Sequence, residues 1–319
     1  RDHGPTADCG SIAVSMTAPA AAFRTRMIAC FAIIYIVWGS SYLATSVGVH
    51  HLPPFLFAGV RFIVAGLALA LIARARGGRL ALDATDLKQL FVMALLSIAL
   101  SNGFNVWALQ WVPSSQAALL NVTSSFWIAI FGLFGARGHP IDRRTGLGLA
   151  LGFLGTVAIV WPQEGYSIAH FVPQLGILAG CMGWAAGTIY FRNAEKSLDV
   201  LAFTGLQMFG GGVMLTAIGL GLGEQHEWTW TLPGMLSMAY LTVFSSCLAY
   251  TAYAWLTQHT TPARVATYGY VNPALATLLG WWVLDEQLTG VMLAGMAVII
   301  AGVVLVNWPE EVSAPESPG

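Results

Sequence analysis

The chain has 319 residues, of which 56% are hydrophobic and 9% are charged, and its formal net charge is −1. Because soluble globular domains carry about 25% charged residues, this composition excludes an ordinary soluble protein and indicates a polytopic membrane protein. The balanced charge and short basic clusters provide no surface for nucleic acid, so the expected surroundings are a lipid bilayer.

Ten apolar runs follow one another, each close to the roughly 20 residues that a helix needs to cross a hydrocarbon core of about 30 Å. Lipid offers backbone groups no hydrogen-bond partners and period-2 alternation is absent, so the runs are predicted to be helices. The first five are predicted at residues 27–46, 53–73, 88–109, 113–135 and 145–162. The second five are predicted at residues 175–191, 200–222, 233–257, 262–284 and 288–308.

These runs divide the chain into two predicted five-helix repeats, residues 27–162 and 175–308, flanked by two tails. Within the N-terminal tail, residues 1–23 lack hydrophobic periodicity and are left out of the predicted fold. Residues 309–319 are acidic and contain proline, so they are expected to be disordered. The first apolar run exceeds the 7–15 residues typical of a cleaved signal peptide, which predicts a retained membrane span.

Basic residues occupy alternate gaps between the runs. The N-terminal flank and the basic gaps contain Arg24, Arg26, Arg74, Arg76, Arg79, Lys88, Arg137, Arg143, Arg144, Arg192, Lys196 and Arg264. The remaining gaps contain His50, His51, Glu164, His170, Glu224, His226, Glu227, Asp285 and Glu286, without Lys or Arg. By the positive-inside rule the basic gaps are cytoplasmic, so both termini are predicted to face the cytoplasm of an inner or plasma membrane.

Features of the first five runs recur in the second five. Trp38 beside small residues matches Trp184, and at the same offset Arg61 matches Gln207. Since each half has an odd number of spans, the two halves insert with opposite orientation. The sequence therefore predicts an all-α polytopic membrane protein with ten transmembrane helices as a 5+5 inverted repeat, and a site near the midplane between the halves.

Motifs at both ends of the chain resemble the EamA domains of the drug/metabolite transporter (DMT) superfamily. They are Trp38-Gly39-Ser40-Ser41, Leu52-Pro53-Pro54, Arg61-Phe62, Val271-Asn272-Pro273 and Leu284-Asp285-Glu286-Gln287-Leu288-Thr289. One departure is Arg137-Gly138-His139-Pro140, where the family often has a Gly-Glu turn. The resemblance implies a ten-helix inverted-repeat exporter of small solutes, often amino acids or related metabolites.

Polar and aromatic residues at membrane depth are costly, which makes them candidates for a substrate pathway. The candidates are Trp38, Tyr42, Asn102, Asn105, Trp107, Asn121, Ser124, Ser125, Trp127, Trp184, Tyr190, Tyr250, Tyr253, Tyr268, Tyr270 and Asn272. The alternative is structural, because Ser, Thr and Asn join helices by hydrogen bonds and the mid-depth Trp rings can simply fill the core. For the polar set on the third, fourth and ninth runs we favour a lining role.

Arg61 is the one basic residue in the interior of a run. Two interpretations are open: Arg61 binds a substrate carboxylate, or it bonds carbonyls and polar side chains between helices. We favour the second interpretation, and a position of the second helix outside the inner ring, as the resemblance implies, would strengthen it. Gln207 is the corresponding polar position in the second half.

Pro273 follows Asn272 within the ninth run and removes a backbone hydrogen bond there, which predicts a hinge beside the cavity.

Several functions are disfavoured by what the spans lack. No Asp, Glu or His lies at mid-span, so a buried proton-coupling carboxylate is not expected. No membrane-embedded base stands beside Ser40 or Ser41, and the scattered cysteines form no metal motif, so we expect neither an enzyme nor a metal or other cofactor. The predicted function is secondary transport of neutral or zwitterionic small molecules. The alternative is a passive channel or a broad facilitator that includes drug efflux.

Overall fold

In a computed structural model the described residues are 18–78, 80–132, 143–160, 168–193, 198–260, 265 and 268–307, and all their regular elements are helical. The predicted all-helical architecture is therefore confirmed for these residues. Its long helices are α1 (Ala18–Val49), α2 (Pro54–Ala75), α3 (Ala84–Ala108), α4a (Ser114–Asn121), α4b (Ser124–Gly132), α5 (Arg143–Val160), α6 (Ile168–Asn193), α7 (Val200–Gly221), α8 (Leu232–His259), α9 (Tyr268–Leu284) and α10 (Gly290–Asn307).

Within the described ranges, α1, α2, α3, α6, α7 and α8 are each long and apolar enough to cross a membrane, and α5, α9 and α10 contain shorter apolar stretches. Large apolar side chains such as Leu71, Phe153 and Trp282 are about two-thirds or more exposed. Such exposure is expected of side chains that face lipid. The exposed apolar surface and the helix lengths together indicate a multi-pass membrane protein.

The first helix starts earlier than the sequence pattern predicts. It begins at Ala18, within the N-terminal tail that precedes the first predicted span, so residues 18–26 are helical. Alanine-rich sequence with high helix propensity, including Ala20 and Ala21, extends the helix beyond the apolar run.

The fourth predicted span is two helices rather than one. Between α4a and α4b, Val122 and Thr123 donate their N–H groups to carbonyls three residues earlier, at 3.2 and 3.1 Å. The Thr123 hydroxyl also donates to the Leu120 carbonyl at 2.7 Å. This tightened turn interrupts the α-helix beside Asn121 and Ser124, both of which are sequence-predicted pathway residues.

Two helices carry wide-turn segments at matched places. Residues Ala94–Leu100 of α3 and Leu241–Ala249 of α8 are π-helical. Each π segment is followed directly by an α-helix, starting at Ser101 in α3 and at Tyr250 in α8. Such segments are rare and occur frequently at functional sites, and nothing in the apolar pattern predicted them.

Glycines let α2 and α7 cross at backbone contact, and the contacts are reciprocal. A Cβ atom placed on Gly66 would lie 2.6 Å from the Gly205 carbonyl oxygen, and one on Gly205 would lie 2.9 Å from the Gly66 carbonyl oxygen. Gly59 and Gly212 show the same relation at 3.0 and 2.9 Å. The four glycines fall into two repeat-related pairs, 59 with 205 and 66 with 212, each at the offset from Trp38 to Trp184.

The α5–α10 pair repeats this arrangement. A Cβ atom on Gly155 would lie 2.9 Å from the Gly295 carbonyl oxygen, and one on Gly302 would lie 2.6 Å from the Gly148 carbonyl oxygen. In both helix pairs, each glycine of the first half contacts the second-half counterpart of the other glycine on its own helix. The halves are therefore duplicated units that pack through equivalent surfaces.

Two carboxylates from the second half cap helices of the first half. Glu224 accepts hydrogen bonds from the backbone N–H groups of Phe55 and Leu56, at 3.2 and 2.7 Å, at the start of α2. Glu286 does the same for Ser114 and Ser115 at the start of α4a. Burial raises the pKa of the Glu224 carboxyl group above its ordinary value, and the backbone N–H bonds partly oppose that rise. These caps fix how the halves meet at this end of the helices.

Candidate functional site

A cavity of about 150 Å³ lies among α1, α2, α3, α4a, α4b, α6, α8 and α9, so both halves contribute walls. Its wall is polar on α3 and α4a and aromatic on α1, α6 and α9. The lining side chains are Trp38, Ser41, Tyr42, Thr45, Arg61, Ser101, Asn102, Asn105, Val106, Leu109, Asn121, Ser124, Trp184, Ser245, Tyr250, Tyr268 and Asn272.

Most of the sequence-predicted pathway residues come together in this lining. They are Trp38, Tyr42, Asn102, Asn105, Asn121, Ser124, Trp184, Tyr250, Tyr268 and Asn272. Arg61 also lines the cavity, so α2 reaches the inner ring.

The remaining candidates lie elsewhere. Trp107 packs against Trp111, Trp127 against Phe131, and Tyr190 against a separate apolar cluster around Leu90 and Phe203. Tyr253 stands behind the lining, and Ser125 and Gln207 do not border the cavity. The Tyr270 side chain lies outside the described residues. Helix periodicity alone cannot separate lining from packing positions, because several helix faces here meet other helices.

Two asparagines form a reciprocal amide pair across α3 and α4a. Asn121 Nδ2 donates to Asn105 Oδ1 at 2.7 Å, and Asn105 Nδ2 donates to Asn121 Oδ1 at 3.3 Å. Each amide also bonds its own helix, Asn105 at the Ser101 carbonyl (2.9 Å) and Asn121 at the Ala117 carbonyl (2.8 Å). The pair ties α3 to the interrupted helix at the cavity wall.

Replacing Asn121 with leucine is expected to lower the free energy of unfolding by about 1–3 kcal/mol, because the part-buried Asn105 amide loses its partner on α4a. Thermal unfolding in detergent measures this change. The matched experiment is a double-mutant cycle with Asn105→Leu, in which the double variant should lose less than the sum of the two single variants. Simple additivity would show that the two amides do not stabilise each other.

Five aromatic rings, Trp38, Trp184, Tyr250, Tyr253 and Tyr268, form the opposite wall and its backing, and we call them the aromatic cluster. Trp38 contacts Tyr250, Tyr253 and Tyr268 with ring centroids 5.4, 5.2 and 5.2 Å apart. Trp184 contacts Tyr250 and Tyr253, each at 6.2 Å. The repeat-related Trp38 and Trp184 thus share the α8 tyrosines, and the tilted and T-shaped geometry is that favoured by aromatic quadrupoles.

Arg61 is held beside α3 by Asn102. Asn102 Nδ2 donates to the Ser97 carbonyl at 3.0 Å, five residues earlier and inside the π segment. Its Oδ1 accepts a hydrogen bond from Arg61 Nη2 at 3.3 Å. The guanidinium carbon lies 4.1 Å from the ring centroid of Phe62. The π segment thus exposes a carbonyl that orients Asn102, and Asn102 positions the arginine.

Sequence reasoning missed four polar lining residues, Ser41, Thr45, Ser101 and Ser245. Ser41 and Thr45 continue the α1 face that begins at Trp38, so helical spacing could have found them. Ser101 stands four residues before Asn105 and could have been found in the same way. Ser245 lies inside the α8 π segment, where the wider turn changes which residues share a face.

A second cavity of about 410 Å³ opens where α1, α3 and α9 end and α4a begins, on the side that lacks Lys and Arg. His50, His51, Gln110 and Glu286 are among its lining residues. Leu109 borders both cavities and is buried. The two spaces are therefore separated at Leu109.

Arg61 is the one charged residue in the central lining that the structure describes. No Asp, Glu or His belongs to the lining that the structure describes. Over the described ranges, no group of three or more His, Cys, Asp or Glu residues comes close enough to hold a metal ion. The arrangement can bind a small organic solute through hydrogen bonds, one positive charge and aromatic faces.

The fold and cavity define a polytopic membrane protein with duplicated halves and a central binding space. Residues 25–161 and 173–308 each match the EamA-like transporter family, and the chain belongs to this family of transporters, which are not enzymes. It is 32% identical over 276 residues to YedA, an uncharacterised inner membrane transporter of Escherichia coli (strain K12), covering 86% of this chain and 88% of YedA.

Two further comparisons are informative. The chain is 27% identical over 281 residues to a probable amino-acid metabolite efflux pump of Salmonella typhimurium, covering 85% of this chain and 91% of the pump. A solved crystal structure with 20% identity superposes with a TM-score of 0.62 and covers 88% of this chain and 97% of its own. That structural likeness concerns the fold.

Proposed function

We propose that the protein is a secondary transporter that exports small organic solutes by alternating access, with amino acids or related neutral and zwitterionic metabolites, including aromatic ones, as substrates. The single observation that carries this proposal is the central cavity, whose walls come from both halves. The probable amino-acid metabolite efflux pump among the relatives supports both the solute class and the direction.

The proposal includes a 5+5 inverted repeat of ten transmembrane helices. Its support is the reciprocal glycine packing of α2 with α7 and of α5 with α10, together with π segments at matched places in α3 and α8. An odd number of spans in each half requires opposite orientations. Transporters with such repeats bind substrate between the halves and expose the site to each side in turn by rocking one unit against the other.

The proposed orientation places both termini in the cytoplasm, since basic residues concentrate in the gaps on that side. The second cavity, with His50, His51 and Glu286, then faces outward. Leu109 stands between the outer cavity and the central one, on the route that an exported solute would follow. Pro273 lies inside the continuous helix α9 beside Asn272, and its role as a hinge stays a prediction.

Counterflow tests the transport mechanism. Proteoliposomes loaded with one unlabelled solute from an amino-acid and metabolite panel should transiently accumulate the same labelled solute from outside, and the rate should saturate with concentration. A channel would give non-saturating flux without transient accumulation. Empty liposomes and liposomes containing an unrelated membrane protein serve as controls. Equal flux in loaded and unloaded vesicles would contradict alternating access.

A further inference from the structure

Arg61 is a buried charge with no carboxylate partner among the residues that the structure describes. It lies in the α2 span, 5% exposed, and lines the central cavity. In the part of the chain that the structure describes, its one hydrogen bond goes to the neutral Asn102 side chain, and its buried Nε atom has no partner. A guanidinium carries five N–H donors, and an uncompensated charge at membrane depth is strongly unfavourable. The site therefore has an uncompensated positive charge and unpaired N–H donors.

The same cavity contains an unused acceptor. Asn272, also 5% exposed and lining the cavity, has no partner for Oδ1 among the described residues. Buried polar atoms normally find partners, and the exceptions call for an explanation. The aromatic cluster adds an apolar surface to this wall. The cavity thus offers one cation, one acceptor and a set of aromatic faces.

The corresponding position in the second half carries no charge that could compensate Arg61. Gln207 is the counterpart of Arg61, and it is neutral and lies outside the lining. An arginine that served only to join helices would be expected to have its donors met by carbonyls or carboxylates. Among the described residues, Arg61 donates one hydrogen bond, to the neutral Asn102, and otherwise contacts the Phe62 ring. This pattern favours a group that is completed by a ligand.

We propose that Arg61 binds the carboxylate of the substrate, and that the site selects small monocarboxylates that carry an apolar group and a hydrogen-bond donor. The proposal rests on the function proposed above and specifies the solutes as monocarboxylates, which include zwitterionic amino acids and singly charged hydroxy acids. A single guanidinium pairs with one carboxylate in fork geometry, while a second carboxylate would remain unpaired in the membrane interior. A solute without a carboxylate would leave the arginine uncompensated. The donor of the ligand, an ammonium or a hydroxyl group, is met by Asn272 Oδ1.

Four ligands of similar size, each with one phenyl ring, test the charge preference. Phenylalanine and 3-phenyllactate carry one carboxylate, phenylalaninamide carries none, and phenylsuccinate carries two. Ligand-induced stabilisation of the purified wild-type protein gives relative affinities. Both monocarboxylates should bind about tenfold or more tightly than the amide, because the amide lacks the charge-assisted bond to Arg61. They should exceed the dicarboxylate by a similar factor, because its second carboxylate would be buried without a partner. If the amide binds as tightly as the two acids, the proposal is overturned on the wild-type protein alone.

Variants assign the preference to Arg61. Arg61→Gln should bring the acid-to-amide affinity ratio close to one, while Arg61→Lys should retain part of the preference because it keeps the charge and loses the fork. Arg74→Gln is the matched control, since Arg74 lies on the same helix, is exposed and does not line the cavity. A folded Arg61→Gln protein with an unchanged ratio would overturn the proposal. If that variant does not fold, the wild-type ligand series and Arg61→Lys decide.

Counterflow with the same ligands separates this proposal from the proposed function. Saturable counterflow with equal rates for acid and amide would leave the transporter intact and reject the role of Arg61. Acid-selective binding without counterflow of any ligand would support the role of Arg61 and reject transport.

Discussion

Replacing Glu286 with alanine is expected to lower the free energy of unfolding by about 2–4 kcal/mol, since one carboxylate satisfies four donors. It accepts hydrogen bonds from the backbone N–H groups of Ser114 and Ser115, at 2.7 and 3.0 Å, and from both serine hydroxyl groups. Without it, the positive end of α4a has no cap at the place where the two halves meet. Thermal or denaturant unfolding of the purified protein measures the loss.

Two variants refine this test. Glu286→Gln keeps one acceptor and brings an NH₂ group against the serine donors, so about half of the loss is expected. Gln287→Ala is the matched control because Gln287 is the exposed neighbour in the same connection. If Glu286→Ala unfolds at the same temperature as the control, the cap does not stabilise the halves.

Replacing Gly205 with alanine is expected to lower the free energy of unfolding by about 1–3 kcal/mol through overpacking, and Gly205→Leu is expected to prevent accumulation of folded protein. The new Cβ atom would lie 2.7 Å from the Ala70 nitrogen and 2.9 Å from the Gly66 carbonyl oxygen. Both are backbone atoms, so relief requires the two helices to move apart. Folded yield and unfolding temperature measure the effect.

Gly221 provides the matched control on the same helix. A Cβ atom there would meet nothing within 4 Å, and alanine exceeds glycine in helix propensity by about 1 kcal/mol. Gly221→Ala should therefore be neutral or stabilising, opposite in sign to Gly205→Ala. The same sign for both variants would contradict the close crossing of α2 and α7.

The apolar runs predicted the helices well because length and hydropathy are local properties of the chain. The α2 and α7 boundaries agree with the predicted spans to within about two residues. The fourth span shows where this reasoning stops. In the sequence, Val122 and Thr123 are indistinguishable from other residues of an apolar helix. The turn that they form between α4a and α4b depends on side-chain hydrogen bonds such as that of Thr123 to the Leu120 carbonyl.

In the candidate site too, the sequence predicts individual residues but not how they pair. Asn105 and Asn121 were predictable as costly polar residues in lipid, whereas their reciprocal pairing depends on how α3 approaches α4a. Tyr190 and Trp107 carry the same signal in the sequence, yet they pack away from the cavity. Polarity and aromatic character mark candidates, and only helix packing sorts them.

The sequence by itself indicated the membrane class, the helical content, the duplication and the resemblance to the family. These follow from transfer free energies and residue spacing, which each segment carries on its own. Only the tertiary structure decided which polar residues share one cavity, that Arg61 on α2 reaches it, and that no carboxylate of the described residues lines it. Those outcomes depend on the close helix crossings that glycines permit and on the π segments, which change the residues that share a helix face. Both arise from contacts between segments that are distant in sequence.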